Sequence, residues 1–239
     1  MSCTNSPQES QGTLPNCIHG EDATDRDTSD APLWYGVVCE DAAALLGPTL
    51  YRDEVGGRNI AEVLRSIATG YRHGTPNGIR MDPDSGLIWS PRHFTWMDTN
   101  HPAGTPREGY PVEIQVLWIR LLRQLDRIGA TDLGESWSAL AERAQRSFEQ
   151  LFWLNERGWL ADLLIAPSGV PAAAAVPDQT LRSNGLFAVS LGLLHGERSE
   201  SSKCRERLAP WLQGKIADLG HGGHKIAAHA VGVDYFRHD

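Results

Sequence analysis

Residues 112–129 read VEIQVLWIRLLRQLDRIG, and the turn-rich stretch TPREGYP precedes them at 105–111. Apolar side chains recur every three or four positions, as at Leu117, Leu121 and Leu125, which is the spacing of one face of an α-helix. The stretch therefore predicts a long amphipathic helix, and we interpret the rest of the fold outward from it.

About six helices, arranged in pairs, are predicted along the chain. The first begins near Pro32, which the first turn of a helix tolerates, and runs to Gly47. The second, over residues 59–73, places apolar side chains such as Leu64 and Tyr71 on one face. The remaining predicted helices cover residues 112–129, 135–154, 181–196 and, as far as Pro210, 201–214.

A polar insert at residues 74–90 interrupts the helical pattern. Its runs GIRM (78–81) and GLIW (86–89) flank the turn sequence Asp-Pro-Asp-Ser-Gly, which predicts a small β-hairpin. Paired antiparallel helices with long polar loops fit either a helical toroid or an α-solenoid. The sequence shows no repeat of fixed length, which a solenoid would need. We therefore expect an all-α fold, a toroid of helix pairs with one β-hairpin insert.

Composition limits the classes of function. A formal net charge of −8 argues against a nucleic-acid or anionic-membrane partner, because both bind to positively charged protein surfaces. No apolar run approaches a membrane span, and the polar N-terminus does not resemble a signal peptide. Four cysteines without metal spacing are interpreted as free thiols in a reducing compartment. We therefore expect a cytoplasmic protein.

Carboxylates and aromatic rings lie close together in three loops. Eight tryptophans are many for 239 residues, and their faces suit sugar rings, although core packing is the alternative for any one of them. The stretch FTWMD (94–98) places Asp98 directly after Trp96 and Met97, where a solvated turn acid is the alternative. Asp30 could equally be a helix N-cap, and Glu113 could favour a helix N-terminus through the macrodipole.

Five blocks of sequence, taken in order, resemble one known family. They are GTLPN (12–16), DTSDAPLWY (27–35), FTWMD (94–98), TPREGYPVEIQVLW (105–118) and DQTLRSNGLFAVSL (178–191). Together they resemble the glucosidase domain of glycogen debranching enzymes, the amylo-α-1,6-glucosidase family, over residues 12 to 195. The resemblance implies an (α/α)6 barrel and hydrolysis of α-1,6-linked glucose at branch points of an α-glucan, with inversion.

The resemblance also implies which residues form the site. Inverting hydrolysis needs a carboxyl acid and a carboxylate base, and the family's FTWMD acid falls on Asp98, which we expect to be the general acid. Ser183 stands where the family usually has proline. The residues expected to line or support the sugar subsite are Asp27, Asp30, Trp34, Trp96, Arg107, Glu113, Arg182 and Asn184.

The similarity ends before the region that carries the family's base. We therefore expect a polar tail at 1–11, an incomplete glucosidase domain at 12–213 and a divergent His/Gly-rich tail at 214–239. Such a fragment is expected to have impaired activity alone, and a complementary polypeptide could supply the missing helices. The alternatives are a non-catalytic α-glucan-binding or assembly fragment, or another six-hairpin glycosidase of the α-glucosidase or trehalase type.

The C-terminal tail offers a competing signal for zinc. His221, His224, His229 and His238 form a His-rich run, and the first three imidazoles, at i, i+3 and i+8, could meet on one helical face. The surrounding glycines make a poor helix, however, and neither an acid nor a cysteine completes a known ligand spacing. We therefore expect neither a metal nor a cofactor.

Overall fold

The structure is a computed structural model that describes residues 9–97, 106–131 and 134–194. Within these ranges the chain forms four α-helices of 14–16 residues and one helix of four residues, accompanied by nine short strands. The helices are α1 (Ala31–Leu46), α2 (Ile60–His73), α3 (Val112–Arg127), α4 (Trp137–Phe152) and α5 (Phe187–Ser190). Short 3-10 turns lie at Pro48–Arg52, Ala172–Ala174 and Ser183–Leu186.

Two of the four long helices begin with a side-chain cap that the sequence provides. Asn59 and Glu62 form a capping box at the start of α2, in which each side chain accepts a hydrogen bond from the backbone N–H of the other residue. At the start of α4, the Ser136 hydroxyl accepts from the Ala139 N–H at 3.3 Å. Together with the apolar periodicity, these local signals explain why the long predicted helices are present.

Helix α3 lies at the centre of the core and packs against α1, α2 and α4. Twelve of its sixteen residues are buried, so the stretch at 112–127 forms the axis of the described fold. The Trp118 ring is fully buried and stacked on Tyr71, and its Nε1 donates to the Gly86 carbonyl at 3.0 Å. This last bond fixes the β-hairpin insert against the helix, because Gly86 belongs to the turn between its two strands.

The prediction of an all-α, partial (α/α)6 toroid is wrong. The described residues form three two-stranded antiparallel sheets and one three-stranded antiparallel sheet. The predicted helix at 181–196 consists, as far as residue 194, of a 3-10 turn and the four-residue α5. The strands are β1 (Glu54–Val55), β2 (Arg58–Asn59), β3 (Arg80–Met81), β4 (Ile88–Trp89), β5 (Gly109–Pro111), β6 (Trp153–Leu154), β7 (Trp159–Leu160), β8 (Leu163–Ile165) and β9 (Val176–Asp178).

The three-stranded sheet has the order β5-β8-β9 and determines where the loop before α3 lies. Strand β5 pairs with β8 from Gly109 opposite Ile165 to Pro111 opposite Leu163. Gly109 has φ +130°, and a Cβ built on it would lie 2.2 Å from the carbonyl oxygen of Leu164. Only glycine permits this close approach, which holds the beginning of β5 against β8.

Part of the fold confirms the local predictions, and part lies outside the described residues. The hairpin predicted at 78–89 is present, with Arg80 opposite Trp89 and Met81 opposite Ile88. The predicted helix at 201–214 and the His-rich tail lie outside the described residues. Among the helices of the described ranges, none combines the length and apolar character required to cross a membrane.

Candidate functional site

Arg107 lies at the centre of a buried charged cluster. It is the second residue before β5, adopts φ +48° and is only 3% exposed. Its Nη1 donates to Asp162 Oδ2, and its Nη2 donates to Glu113 Oε2 at the start of α3. A buried guanidinium with two carboxylate partners is stable only when all three groups are held in place, and the β5–β8 pairing holds them here.

Asp162 connects this arginine to the segment that follows β9. It immediately precedes β8 and is 2% exposed. Besides Arg107, it accepts hydrogen bonds from Arg182 Nη1 at 2.8 Å and from Asn184 Nδ2 at 2.8 Å. Three segments distant in sequence therefore meet at one carboxylate.

Asn184 in turn fixes a tryptophan ring at the surface. The amide nitrogen of Asn184 faces Asp162, so its Oδ1 is available to accept from Trp96 Nε1 at 3.0 Å. The amide nitrogen also contacts the sulfur of Met97 at 3.3 Å. Trp96 remains 54% exposed although its N–H is bound. The result is an indole ring with a fixed edge and an open surface.

Asp98, the predicted general acid, lies outside the described residues. Its chain neighbour Met97 is described and contacts Asn184. The role of Asp98 therefore stays a prediction.

Trp34, another predicted site residue, packs against the same C-terminal segment. Its ring meets Phe187 edge-on, with centroids 5.4 Å apart and planes at 73°. Phe187 follows Asn184 closely in the chain, so the contact joins the first turn of α1 to the segment that fixes Trp96. Sequence reasoning did not single out Phe187.

The loop before α1 is joined to the site by its backbone. The Ser29 N–H donates to the carbonyl of Phe94 at 2.6 Å, which places the loop beside the FTWMD stretch. Asp30 occupies the N-cap position but makes no side-chain cap bond. Instead, the Thr28 hydroxyl donates to Asp30 at 2.7 Å and accepts from the Ala31 N–H at 3.3 Å. Asp27 is exposed, and the described contacts do not include its side chain in the network.

Burial changes the acid–base properties of the cluster. Burial raises the pKa of Glu113 to about 7, the Arg107 guanidinium acts to lower that pKa, and the Asp162 carboxylate acts to raise it. Among the described residues, no hydrogen-bond partner reaches Glu113 Oε1 or Arg107 Nε, and both atoms are buried. Burial alone would raise the pKa of Asp178, but hydrogen bonds from Arg182 and Thr180 outweigh it and hold the pKa below its usual value.

A cavity of about 410 Å³ borders the cluster. Arg107 and Asp178 contribute to its wall, and apolar residues of β8 and the turn after it form much of the remainder. This volume falls within the range of small-molecule sites. The described ranges contain no cluster of three or more histidine, cysteine, aspartate or glutamate side chains arranged to hold a metal ion. The His-rich tail lies outside them.

The residues that meet here include some, but not all, of the predicted site residues. The predicted residues Trp34, Trp96, Arg107, Glu113, Arg182 and Asn184 are joined through Asp162 and Phe187, which the sequence did not reveal. The only signal for Asp162 was a single acid inside the apolar run GWLADLLIA at 158–166. An acid in such a run is seldom left unpaired when the run is buried.

The sequence profile described as amylo-alpha-1,6-glucosidase matches residues 4–209, which is most of the chain. The chain belongs to the amylo-α-1,6-glucosidase family. The resemblance seen in the five sequence blocks is thereby confirmed, and the chain is a glycoside-hydrolase-type domain.

Two solved structures resemble the fold of this member of the amylo-α-1,6-glucosidase family. A GH78-family rhamnosidase of Bacillus sp. GL1 matches with a TM-score of 0.53 and 18% identity, covering 77% of this chain and 17% of the rhamnosidase. An uncharacterized conserved protein from Thermus thermophilus matches with a TM-score of 0.52 and 15% identity, covering 81% of this chain and 59% of that one. The chain thus spans less than two thirds of either structure, and at these identities the likeness concerns the fold alone. Comparison with curated proteins gave no match.

Proposed function

We propose that this chain binds the branch point of an α-glucan and takes part in the hydrolysis of its α-1,6-linked glucose, with inversion at the anomeric carbon. The observation that carries the proposal is the fixed, exposed ring of Trp96, held by Asn184 and close in sequence to Asp98 in a member of the amylo-α-1,6-glucosidase family. The proposed partners are the α-glucan substrate and a complementary polypeptide. Neither a nucleic acid nor a membrane is part of the proposal.

Trp96 has the properties of a sugar-binding platform. The C–H face of a glucose ring is apolar and packs on an indole, whereas its hydroxyls need polar partners at the edge. Trp96 is half exposed, and the amide of Asn184 lies at the edge of its ring. Because Asp162 orients that amide, the platform is fixed before the sugar arrives, which lowers the entropic cost of binding.

The general acid of the proposed reaction is Asp98, which corresponds to the acid of the family's FTWMD block. Its role is to protonate the oxygen that leaves the anomeric carbon, while a base on the opposite face activates water. Glu113 and Asp162 do not suit the role of base. The side chains of both are 1% exposed and bound to Arg107, so neither is open to water beside a sugar. Neither of these two carboxylates is therefore proposed as the base.

The experiment that tests the proposal measures glucose released from a phosphorylase limit dextrin. The Asp98→Asn substitution removes the proton donor and keeps the shape of the side chain, so its rate should fall by about 100-fold or more. The matched control is Asp84→Asn in the exposed turn of the β-hairpin, which should keep the full rate.

Each outcome decides between alternatives. An Asp98→Asn variant with the rate of the wild type would refute the assignment of the acid. A wild-type chain that binds maltooligosaccharides but releases no glucose would favour the non-catalytic glucan-binding alternative. A chain that does neither would refute the proposed function.

A further inference from the structure

Helix α1 carries an apolar surface that is largely exposed. Apolar residues recur every three or four positions on one face of this helix, at Trp34, Val38, Ala42 and Leu45. Val38 is 62% exposed and Leu45 is 86% exposed, and Leu46, at the edge of the same face, is 71% exposed. We call these five residues the α1 apolar face. A contiguous apolar surface of this kind marks a place where another segment or molecule binds.

The C-terminal part of the described chain already covers one end of this face. Phe187 of α5 meets the Trp34 ring edge-on, with centroids 5.4 Å apart. The chain then continues past Leu193, which lines the same small cleft as Glu40 of α1. The described residues therefore end beside α1, where the first turn of the apolar face is covered and its last two turns are exposed.

The charges of α1 indicate what kind of segment fits the exposed end. The helix contains two acids, Glu40 and Asp41, and neither a lysine nor an arginine. Glu40 is bound by Arg120 and Arg127, whereas the side chain of Asp41 is 59% exposed, with Arg120 Nη2 3.6 Å from its Oδ1. A second copy of α1, packed antiparallel about Ala42, would bring two Asp41 carboxylates together. The complement is therefore an apolar segment that carries positive charge.

One stretch of the chain outside the described residues has this composition. Residues 203–212 read KCRERLAPWL, in which three basic residues and one acid are followed by the apolar run LAPWL. Residues 195–202 link this stretch to Leu194 and can span roughly 25–30 Å when extended. Helix α1, with 16 residues, is about 24 Å long. The stretch can therefore reach the exposed end of the apolar face.

We infer that residues 203–212 bind to the α1 apolar face. In this arrangement the LAPWL run packs on Val38, Leu45 and Leu46, and the basic side chains beside the run lie near Asp41. The occupant of the face is thus a segment of this same chain, and neither a second copy nor a separate polypeptide. The inference does not rest on the proposed function.

The first experiment treats the full chain carrying Leu45→Cys with a short bismaleimide cross-linker. Residues 203–212 contain a thiol of their own, Cys204, so binding to α1 predicts an intramolecular link between Cys204 and the introduced thiol. Peptide mass spectrometry identifies the link. The matched control is Ile18→Cys, because Ile18 is also apolar and exposed, at 56%, but lies outside α1. The inference is overturned if Leu45→Cys is linked to a second copy, or if it gives no more of the link to Cys204 than Ile18→Cys does.

The second experiment measures how fast trypsin cleaves the full chain after Lys203, Arg205 and Arg207. Binding to α1 protects these peptide bonds, and Leu45→Asn removes apolar contact from the face, so cleavage should become about tenfold faster. Ile18→Asn, the matched control, should be cleaved at the rate of the wild type. Equal rates in the two variants would contradict the inference. Thermal unfolding of every variant checks that the fold is retained, and neither experiment involves a sugar, so a negative result leaves the proposed function intact.

Discussion

Replacing Asp162 by asparagine should cause a large loss of stability, because this carboxylate is the common partner of two arginines. It accepts from Arg107 and Arg182, and its side chain is 1% exposed. Removing one partner of a buried ion pair costs roughly 3–5 kcal/mol, since the remaining charge stays buried. Glu113 and Asp178 would still neutralise the arginines in part. We therefore expect the free energy of unfolding to fall by roughly 3 kcal/mol.

The measurement is urea unfolding of wild type and Asp162→Asn at pH 8, followed by far-UV circular dichroism. The midpoint should fall without a change in slope, because the surface exposed on unfolding stays the same. Asp178→Asn is the control, since its side chain is 21% exposed and its ion pair with Arg182 is correspondingly screened. It should lose no more than about 1 kcal/mol. Equal losses in both variants would refute the central position given to Asp162.

Two further predictions concern residues that hold the cluster. The pKa of Glu113 is raised from 4.5 to about 7 in the folded chain. Between these pH values the folded chain therefore binds one more proton than the unfolded chain, and its stability falls as the pH rises through this interval. The free energy of unfolding should fall by roughly 3 kcal/mol in total over this interval. Glu113→Gln should lack this decline when unfolding is measured from pH 5 to 8. A variant with the same pH profile as the wild type would show that Glu113 is not the titrating group. Gly109→Ala should destabilise the chain by roughly 3 kcal/mol or more in urea unfolding, because the new Cβ would lie 2.2 Å from the Leu164 carbonyl oxygen. Gly20→Ala, at φ +63° with no atom within 4 Å, should cost about 1–2 kcal/mol, and equal costs would argue against the close β5–β8 approach.

Helices α2, α3 and α4 were predictable because each repeats its apolar pattern over several turns. Helix α3 spans 16 residues, long enough for the apolar period to stand out, and α2 carries a capping box that marks its first residue. The small hairpin was predictable because its turn residues lie between two apolar runs.

The sheet that forms the site was not predictable in the same way. Strand β5 consists of Gly109, Tyr110 and Pro111, which resembles a turn in sequence, and three residues are too few to show an alternating pattern. Its partner β8 lies far along the chain, at Leu163–Ile165. Local patterns contain no information about such a pairing.

The same separation explains which residues of the buried cluster were predicted from the sequence. Arg107 and Glu113 lie within one family block and were identified from it, and so were Arg182 and Asn184 in another. Asp162, which joins the two blocks, lies 55 residues from Arg107 and in no block. Its importance is visible only once the strands are paired.

We propose that Trp96, held by Asn184, is the surface on which the sugar binds. The most direct test titrates wild type and Trp96→Phe with maltotetraose and follows the tryptophan fluorescence of both. The fluorescence of wild type minus that of the variant is the signal of Trp96. This difference should change as maltotetraose saturates the protein, and Trp96→Phe should bind maltotetraose more weakly than the wild type does. Superimposable titrations of the two proteins would contradict the claim.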